Sequence, residues 1–263
     1  MIGEIIAVAN QKGGVGKTTT CVNLAASLAA FDRRVLLVDL DPQGNATTGC
    51  GADKASLEIS TCDVLLGDQK ALDAIVPVID GLFSLLPANA DLTLAEVRLL
   101  DEFGREMRLR NVLEPVRALY DYLIVDCPPT INMLTVNGLT AADGALIPIQ
   151  CEYYALEGLS ALLETIKQVR NTVNHSLQVK GLLRTMYDPR NRLAIEVSDQ
   201  LIKHFGDRVF ATIVRRNVRL AEAPSFGLPA VLHDRNSSGA RAYVALAEEI
   251  IAQEQLPGEV GVA

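Results

Sequence analysis

A glycine-rich turn between a predicted strand and a predicted helix most restricts the fold of this chain. Residues 2–9, IGEIIAVA, form a short apolar run rich in isoleucine, which is typical of a buried strand. Residues 10–20 read NQKGGVGKTTT, and a helix is predicted over 17–30. This order of strand, glycine-rich loop and helix is the setting of a phosphate-binding loop, so the sequence predicts an α/β nucleotide-binding fold.

The residue types in this turn suit phosphate chemistry. Gly13, Gly14 and Gly16 let the backbone N–H groups turn towards phosphate oxygens, and the helix start adds partial positive charge. Lys17 is predicted to contact the β- and γ-phosphates, and the Thr18 hydroxyl to ligate Mg²⁺. The turn therefore predicts a site for a nucleotide with its magnesium ion.

The loop departs from the strict G-x-x-x-x-G-K-[ST] pattern, because Gln11 stands where the first glycine should be. It also carries a second lysine, Lys12, five positions before Lys17. The alternative to a phosphate loop is a glycine-rich turn without a ligand. The paired lysines instead indicate a narrower class, in which ATP binding and self-association are one event.

Two further predicted strands end in aspartate. The run 34–41, RVLLVDLD, ends with Asp39 and Asp41, and the run 122–129, YLIVDCPP, contains Asp126. Ligands bind beyond the carboxyl ends of strands in open α/β sheets. Asp41 and Asp126 are therefore predicted to organise Mg²⁺ and its waters, the alternative being aspartates that only cap their loops.

Strands and helices alternate along the chain. This pattern predicts a single-domain α/β fold, with a mainly parallel twisted sheet of about eight strands and helices on both faces. We expect one phosphate-loop domain over residues 1–254 and a short tail over 255–263. Predicted strands cover 4–9, 34–39, 82–86, 121–126, 144–149, 179–187, 209–214 and 229–232. Predicted helices cover 17–30, 91–101, 105–119, 131–141, 156–173, 192–205, 218–223 and 238–254.

Composition indicates a reduced intracellular protein. Hydrophobic residues make up 49% of the chain, yet the sequence contains no apolar run of about 18 residues, the length needed to span a membrane. The chain enters its first strand at once, which leaves no room for a signal peptide. The five cysteines are scattered without a C-x-x-C pair, as expected of free thiols. We therefore expect a cytoplasmic protein with no membrane partner.

Charge is unevenly distributed along the chain. The whole chain has a formal charge of −8, whereas residues 180–241 hold 11 Lys and Arg against 6 Asp and Glu, a local +5. Non-specific DNA binding needs only a basic face that neutralises phosphates. Charge alone leaves a second interpretation open, in which these arginines are solvated side chains of loops and helix starts.

Five motifs together resemble the ParA/Soj/MinD ATPases. KGGVGKT (12–18), VDLDPQGN (38–45) and IVDCPP (124–129) resemble their deviant Walker A, switch I and Walker B motifs. PIQCEYYALEGL (148–159) and RNVRLAEAPS (216–225) are more specific and resemble the Soj branch, ParA proteins without an N-terminal DNA-binding domain. The resemblance extends over nearly the whole chain.

The resemblance implies roles for individual residues. Lys12 is expected to reach across a dimer interface to the phosphates of the partner's ATP, and Asp41 to position the attacking water. Lys12, Lys17 and Asp41 are thus the expected catalytic residues, and Asn217 is an expected contact of the adenine. The expected nucleotide-binding residues are Lys12, Gly13, Gly14, Val15, Gly16, Lys17, Thr18, Thr19 and Asn217. The expected magnesium-binding residues are Thr18, Asp41 and Asp126.

The resemblance also implies a DNA-partitioning cycle. Arg190 and Arg219 match positions where Soj-like proteins contact DNA, and the weaker candidates are Arg184, Arg215, Arg216 and Arg235. The ATP-bound homodimer is expected to bind double-stranded DNA non-specifically on the nucleoid. Slow ATP hydrolysis, stimulated by a ParB/Spo0J-type partner, is expected to release it.

One segment departs from the family pattern. Soj-like proteins usually read IPRN where this chain has VRRN at residues 214–217. Arg215 in place of the proline frees the backbone φ angle and adds a positive charge. The change weakens the expectation of adenine contacts from this loop and favours a phosphate-binding role for the face.

Three other classes of protein were weighed against this interpretation. A MinD-like membrane cycler should end in a basic amphipathic helix, whereas residues 248–263 are acidic and broken by Pro257. An iron–sulfur reductase should place two cysteines to bridge a cluster, and Cys127 and Cys151 have no supporting pattern. A metabolic P-loop synthetase should show a small-molecule pocket and turnover that is independent of DNA.

Overall fold

The computed structural model describes residues 2–254, so the predicted tail 255–263 lies outside the described part. Its strands are β1 (Glu4–Val8), β2 (Val35–Asp39), β3 (Val76–Val78), β4 (Phe83–Leu86), β5 (Tyr122–Asp126), β6 (Gly144–Gln150), β7 (Gln178–Tyr187) and β8 (Val209–Arg215). Its α-helices are α1 (Lys17–Ala29), α2 (Asn45–Gly49), α3 (Thr61–Leu66), α4 (Ala71–Ala74), α5 (Leu92–Arg98), α6 (Arg108–Arg117), α7 (Met133–Ala141), α8 (Ala155–Thr172), α9 (Arg192–Phe205), α10 (Val218–Glu222), α11 (Ala230–His233) and α12 (Ser238–Gln253).

The strands form one sheet in the order β3-β4-β2-β5-β1-β6-β7-β8. All neighbouring pairs are parallel except β3 and β4. The predicted α/β fold with a mainly parallel sheet is confirmed. Strand β1 lies between β5 and β6, so the loop that follows β1 emerges at the middle of the carboxyl edge, where ligands bind in such sheets.

Alternate residues of the central strand pack against opposite faces of the sheet. Ile5 and Ala7 join one core cluster, and Ile6 and Val8 join the other. Helices α3 to α9 contribute to the first cluster, while α1, α2, α10, α11 and α12 contribute to the second. Both faces are therefore covered, which explains why the strand sequence is continuously apolar rather than alternating.

The predicted strand over 229–232 is wrong, because this segment forms helix α11. Pro229 precedes the helix, and the N–H of Ala230 donates to the Asn23 Oδ1 of α1 at 2.7 Å. Ala230 is fully buried against the same core cluster as α1. A four-residue apolar run has no readable period, and only this tertiary contact distinguishes helix from strand.

Strand β3 was absent from the sequence prediction. It has three residues, contains Pro77, and pairs antiparallel with β4 at the edge of the sheet. Proline lacks an N–H donor and is tolerated in sheets mainly at edges. A strand this short, with proline at its centre, gives no alternating signal in the sequence.

Candidate functional site

The phosphate loop connects β1 to α1 and contains two left-handed residues. Gly14 has φ +75° and Gly16 has φ +90°, conformations that cost an L-residue about 1–2 kcal/mol. Gly16 occupies the N-cap of α1, and no side-chain hydrogen bond caps this helix start. The N–H groups of its first turn are therefore left to bind an anion, as the sequence predicts.

Side chains from neighbouring strands hold the loop in place. Thr185 at the end of β7 donates its hydroxyl to the carbonyl of Val15 at 2.8 Å. Asn10 donates to the carbonyl of Pro148 at 2.7 Å and accepts the N–H of Lys12 at 2.9 Å. The Val15 side chain is buried, so only its backbone can serve a nucleotide.

Lys17 lies inside the loop. It is 7% exposed, and its Nζ donates to the carbonyl of Lys12 at 3.3 Å. Burial lowers its pKa, and the nearby carboxylate of Asp126 opposes that shift most strongly. A largely desolvated ammonium that faces a carboxylate and open loop amides suits the binding of phosphate oxygens.

Three aspartates meet beside the loop. Asp39 and Asp126 lie opposite each other in the register of β2 and β5, and both are fully buried. Asp39 accepts the N–H and the hydroxyl of Thr47 at 2.8 and 2.7 Å, and the N–H of Asp41 at 3.2 Å. Asp39 therefore shapes the loop that carries Asp41.

Asp126 has unused bonding capacity. Its carboxylate accepts a hydrogen bond from the Cys21 thiol, whose Sγ lies 3.5 Å from Oδ1. Oδ2 is buried and has no hydrogen-bond partner. Burial raises the pKa of Asp126, and the charge of Asp39 raises it further. A buried carboxylate oxygen without a donor suits a cation or its waters.

These residues fit a magnesium ion that comes with a nucleotide. Within residues 2–254, no group of three or more His, Cys, Asp or Glu side chains is placed to hold a metal by itself. Mg²⁺ usually keeps several waters and uses few protein ligands besides phosphates. Thr18, Asp41 and Asp126 would hold it directly or through water, and these three assignments stay predictions.

A two-part cleft adjoins the loop. A cavity of about 380 Å³ is lined by the glycines of the loop, Lys17, Thr18 and Asp41. A second cavity, of about 160 Å³, is lined largely by apolar surface from β8, α10 and Tyr243. The two share Gly16, Thr19 and Met186. A polar part for phosphates beside an apolar part for a flat ring suits a nucleotide.

The departure from the family pattern lies in the apolar part of this cleft. Arg215 is exposed and lines it. Asn217 also lines it, but its Nδ2 donates to Ser238 at 2.7 Å and its Oδ1 accepts the N–H of Arg219 at 2.8 Å. The amide of Asn217 retains one donor and one acceptor site for a base, so its adenine contact stays a prediction.

Lys12 is placed differently from Lys17. Its side chain is 45% exposed and pairs with the carboxylate of Glu152, in the loop between β6 and α8. It is not among the residues that line the phosphate cavity of its own chain. The lysines thus lie on two sides of the loop, one directed inwards and one held at the rim.

The predicted DNA-binding arginines lie in unlike environments. Arg190 and Arg219 are exposed and paired with carboxylates, and Arg216 is exposed at the end of β8. The prediction for Arg184 is corrected by the structure. It is 6% exposed and donates to Ser198 and to the carbonyls of Phe210 and Ala211, so it holds the β7–β8 edge together.

Sequence reasoning missed three residues of the cleft and its rim. Thr185 anchors the loop, Glu152 pairs with Lys12, and Met186 lines both cavities with φ +49°. A non-glycine residue in this conformation is uncommon and often lies at a functional site. No sequence signal marks Met186, because its left-handed conformation coincides with a register shift in the pairing of β7 with β8, between Arg184 and Tyr187.

Comparisons with known proteins agree with this geometry. A family model described as an AAA domain matches residues 3–179. The sporulation initiation inhibitor protein Soj of Bacillus subtilis is 50% identical over 251 residues, which are 95% of this chain and 99% of Soj. The chromosome partitioning protein ParA of Caulobacter vibrioides is 48% identical over 255 residues, 96% of this chain and 95% of ParA.

A solved structure that covers a similar share of this chain is named as a different enzyme from Soj and ParA. The structure of cobyrinic acid a,c-diamide synthase from Mycobacterium smegmatis, with bound ADP and magnesium, has a TM-score of 0.85 and 38% identity. It covers 97% of this chain and 96% of that one. The fold is therefore one that holds a magnesium nucleotide in a relative.

The loop, the aspartates at the strand ends and the sheet order define a phosphate-loop nucleotide-binding protein. The chain belongs to the ParA/Soj family of chromosome-partitioning ATPases. The family resemblance predicted from the five motifs is thus confirmed.

Proposed function

We propose that this ATPase cycles between a free form and an ATP-bound homodimer that holds double-stranded DNA non-specifically. A ParB/Spo0J-type partner stimulates hydrolysis and releases the DNA, so that the protein acts in the cytoplasm on the nucleoid. The observation that carries the proposal is the separation of the two lysines. Lys17 lines the phosphate cavity of its own chain. Lys12 is held at the rim by Glu152, where its ammonium is accessible to the nucleotide of a second copy of the chain.

The residues around the cavity divide the chemistry among them. Lys17 and the amides of the loop bind the β- and γ-phosphates, and Asp41 orients the attacking water in line with the leaving group. Thr18 and Asp126 would hold the magnesium ion, directly or through water. When bound, Mg²⁺ neutralises charge on the phosphates. Lys12 from the partner supplies the remaining positive charge, in the manner of an arginine finger.

Dimerisation is tested by molecular mass in solution. We expect a monomer with ADP and a doubled mass with ATP when Asp41 is replaced by alanine, because this change blocks hydrolysis while leaving Lys17 and the loop in place. Light scattering on both samples measures the effect. A molecular mass that is the same with ADP and with ATP contradicts the ATP-bound homodimer.

DNA binding is tested by two arginine replacements in the ATP-bound form. Arg190→Ala and Arg219→Ala are each expected to weaken binding to random-sequence duplex about tenfold and to reduce the slope of log Kd against log salt by about 1. Arg170→Ala is a matched control, since Arg170 lies in the last turn of α8, away from the carboxyl edge of the sheet. Unchanged DNA binding in both variants, or no binding at low salt, contradicts a role for this face.

A small-molecule synthetase is the second candidate, favoured by the name of the Mycobacterium smegmatis structure. It predicts ATP turnover that depends on a small carboxylate and is indifferent to DNA. The relatives named Soj and ParA are more similar, at 48–50% identity. Turnover measured with DNA alone, and with cobyrinic acid and an amide donor alone, distinguishes the two functions.

The membrane-cycling alternative concerns residues 248–263, of which only 248–254 lie in the described part. In residues 2–254, no helix has the length and apolar character needed to cross a membrane. Sedimentation with anionic lipid vesicles, with and without ATP, tests this alternative directly.

A further inference from the structure

The turn that follows β7 pairs a carboxylate with a predicted DNA-binding arginine. Asp188 Oδ1 accepts both the backbone N–H and the Nε–H of Arg190 at 3.0 Å, and Oδ2 accepts Nη2–H at 3.0 Å. The N–H of Asn191 donates to the carbonyl of Asp188 at 3.1 Å, which closes the turn. The forked side of the guanidinium is therefore engaged in the same two-pronged way in which arginine binds a phosphate.

The pair is exposed and can exchange. The side chains are 89% exposed for Arg190 and 41% exposed for Asp188. Exposed ion pairs contribute little net free energy, so a DNA phosphate can compete for the same donors. While the pair persists, however, the local charge is cancelled at a position where a phosphate would bind.

A neighbouring pair provides a comparison. Arg192 is 93% exposed and contacts Glu196 through Nε alone, at 2.9 Å, one turn along helix α9. This contact is an ordinary pair on a helix surface. It lacks the backbone bond and the two-pronged geometry of the Asp188–Arg190 pair, and neither Arg192 nor Glu196 lines the polar cavity that Asp188 lines.

The segment that carries Asp188 also borders the proposed nucleotide cleft. Thr185 holds the phosphate loop, and Met186 lines both parts of the cleft in a left-handed conformation. A polar cavity of about 200 Å³ is lined by Met186, Asp188, Glu152 and Arg216. A change at the phosphate loop or at the Lys12–Glu152 pair therefore acts on residues that contact the same cavity as Asp188.

We propose that Asp188 is a positioning residue that keeps Arg190 paired within the chain until ATP binds, and that the segment 185–188 carries the nucleotide state to this pair. The proposal rests on the proposed DNA binding and adds to it the contact that suppresses DNA binding in the absence of ATP. Release of Arg190 then accompanies the rearrangement of the cleft, and nucleotide and DNA affinity are coupled through one short strand end.

The variant Asp188→Asn tests this inference. Asparagine keeps a side-chain oxygen for the N–H of residue 190, so the turn is retained, but the charge is lost. We expect the affinity for random-sequence duplex to rise about fivefold with ADP, the upper range for loss of one exposed pair, and less than about twofold with a non-hydrolysable ATP analogue. The ATP-to-ADP ratio of DNA affinities therefore falls. By the reciprocity of coupled binding, the affinity for ATP in the absence of DNA rises by no more than the same factor.

Two controls make the result specific. Glu196→Gln removes the neighbouring charge and is expected to change both nucleotide states equally, leaving the ratio intact. The double variant Asp188→Asn, Arg190→Ala is expected to lose the gain seen with ADP. An equal rise in both states for Asp188→Asn, or a fall, overturns the proposal. Absence of ATP-dependent DNA binding by the unaltered protein would instead refute the proposed function, which keeps the two failures separate.

Discussion

Replacement of Lys12 by alanine is expected to lower kcat for ATP hydrolysis by about 10²–10³-fold, with nucleotide affinity nearly unchanged. Positive charge placed beside transferring phosphoryl oxygens typically accounts for rate effects of this size. Nucleotide affinity should persist because Lys17 and the N–H groups at the start of α1 are unaltered, and Lys12 does not line the cavity of its own chain. Single-turnover hydrolysis and ADP titration measure the two quantities separately.

A mixing experiment tests whether Lys12 acts on the partner. Heterodimers of Lys12→Ala chains with Asp41→Ala chains should regain activity at one of their two sites, because an intact Lys12 then faces an intact Asp41. Lys167→Ala is a suitable control, since Lys167 is 60% exposed on α8 and only loosely paired, 3.9 Å from Glu164. A Lys12→Ala protein that hydrolyses ATP at the normal rate would remove the proposed role in trans.

Replacement of Asp126 by asparagine is expected to affect stability and activity in opposite directions. The free energy of unfolding of the nucleotide-free protein should rise by about 1–3 kcal/mol at neutral pH. Burial opposite Asp39 raises the pKa of Asp126 to about 8, so folding has to protonate this carboxyl, and asparagine removes that cost at constant shape. Magnesium-dependent hydrolysis should be lost, because the unpartnered Oδ2 can no longer serve a cation. Such opposition of stability and function is common at active sites.

Thermal unfolding with EDTA, and ATP turnover with magnesium, measure these two effects. Each kcal/mol corresponds to about 2–4 °C in melting temperature for a chain of this size. Asp121→Asn is the matched control at the other end of β5. Its pairing with Arg34 lowers the pKa of Asp121, so loss of that charge should destabilise the fold. A melting temperature that falls in Asp126→Asn contradicts the proposed cost of burying this carboxyl.

Most of the fold was predictable because its central strands β1, β2 and β5 are continuously apolar and helices such as α6 and α9 are amphipathic. β1, β2 and β5 were recognised from local residue order, and the aspartates at their ends follow from the geometry of parallel sheets. The failures were short elements. Helix α11 and strand β3 have four and three residues, too few to show a period, and their state is set by contacts with α1 and β4.

The residues of the candidate site also differ in how far the sequence predicts them. Residues within one loop, such as Gly14, Gly16 and Lys17, are recognised because their spacing along the chain is their spacing in space. The environments of the arginines cannot be recognised in this way. Arg184 and Arg190 are only six positions apart, yet Arg184 is buried and the side chain of Arg190 is 89% exposed. Arg184 lies within β7 and packs against β8, whereas Arg190 lies in the turn beyond the end of β7.

The phosphate loop, the strand-end aspartates and the parallel sheet could be inferred from the amino-acid order, because each depends on short-range patterns of residue types. Contacts between distant residues could not: Lys12 pairs with Glu152, 140 positions away, and Thr185 holds the phosphate loop across 170 positions. Tertiary packing also places Arg184 at the sheet edge that it supports, while Arg190 faces solvent beside Asp188. Long-range packing alone brings such residues together, and no local pattern in a single sequence records it.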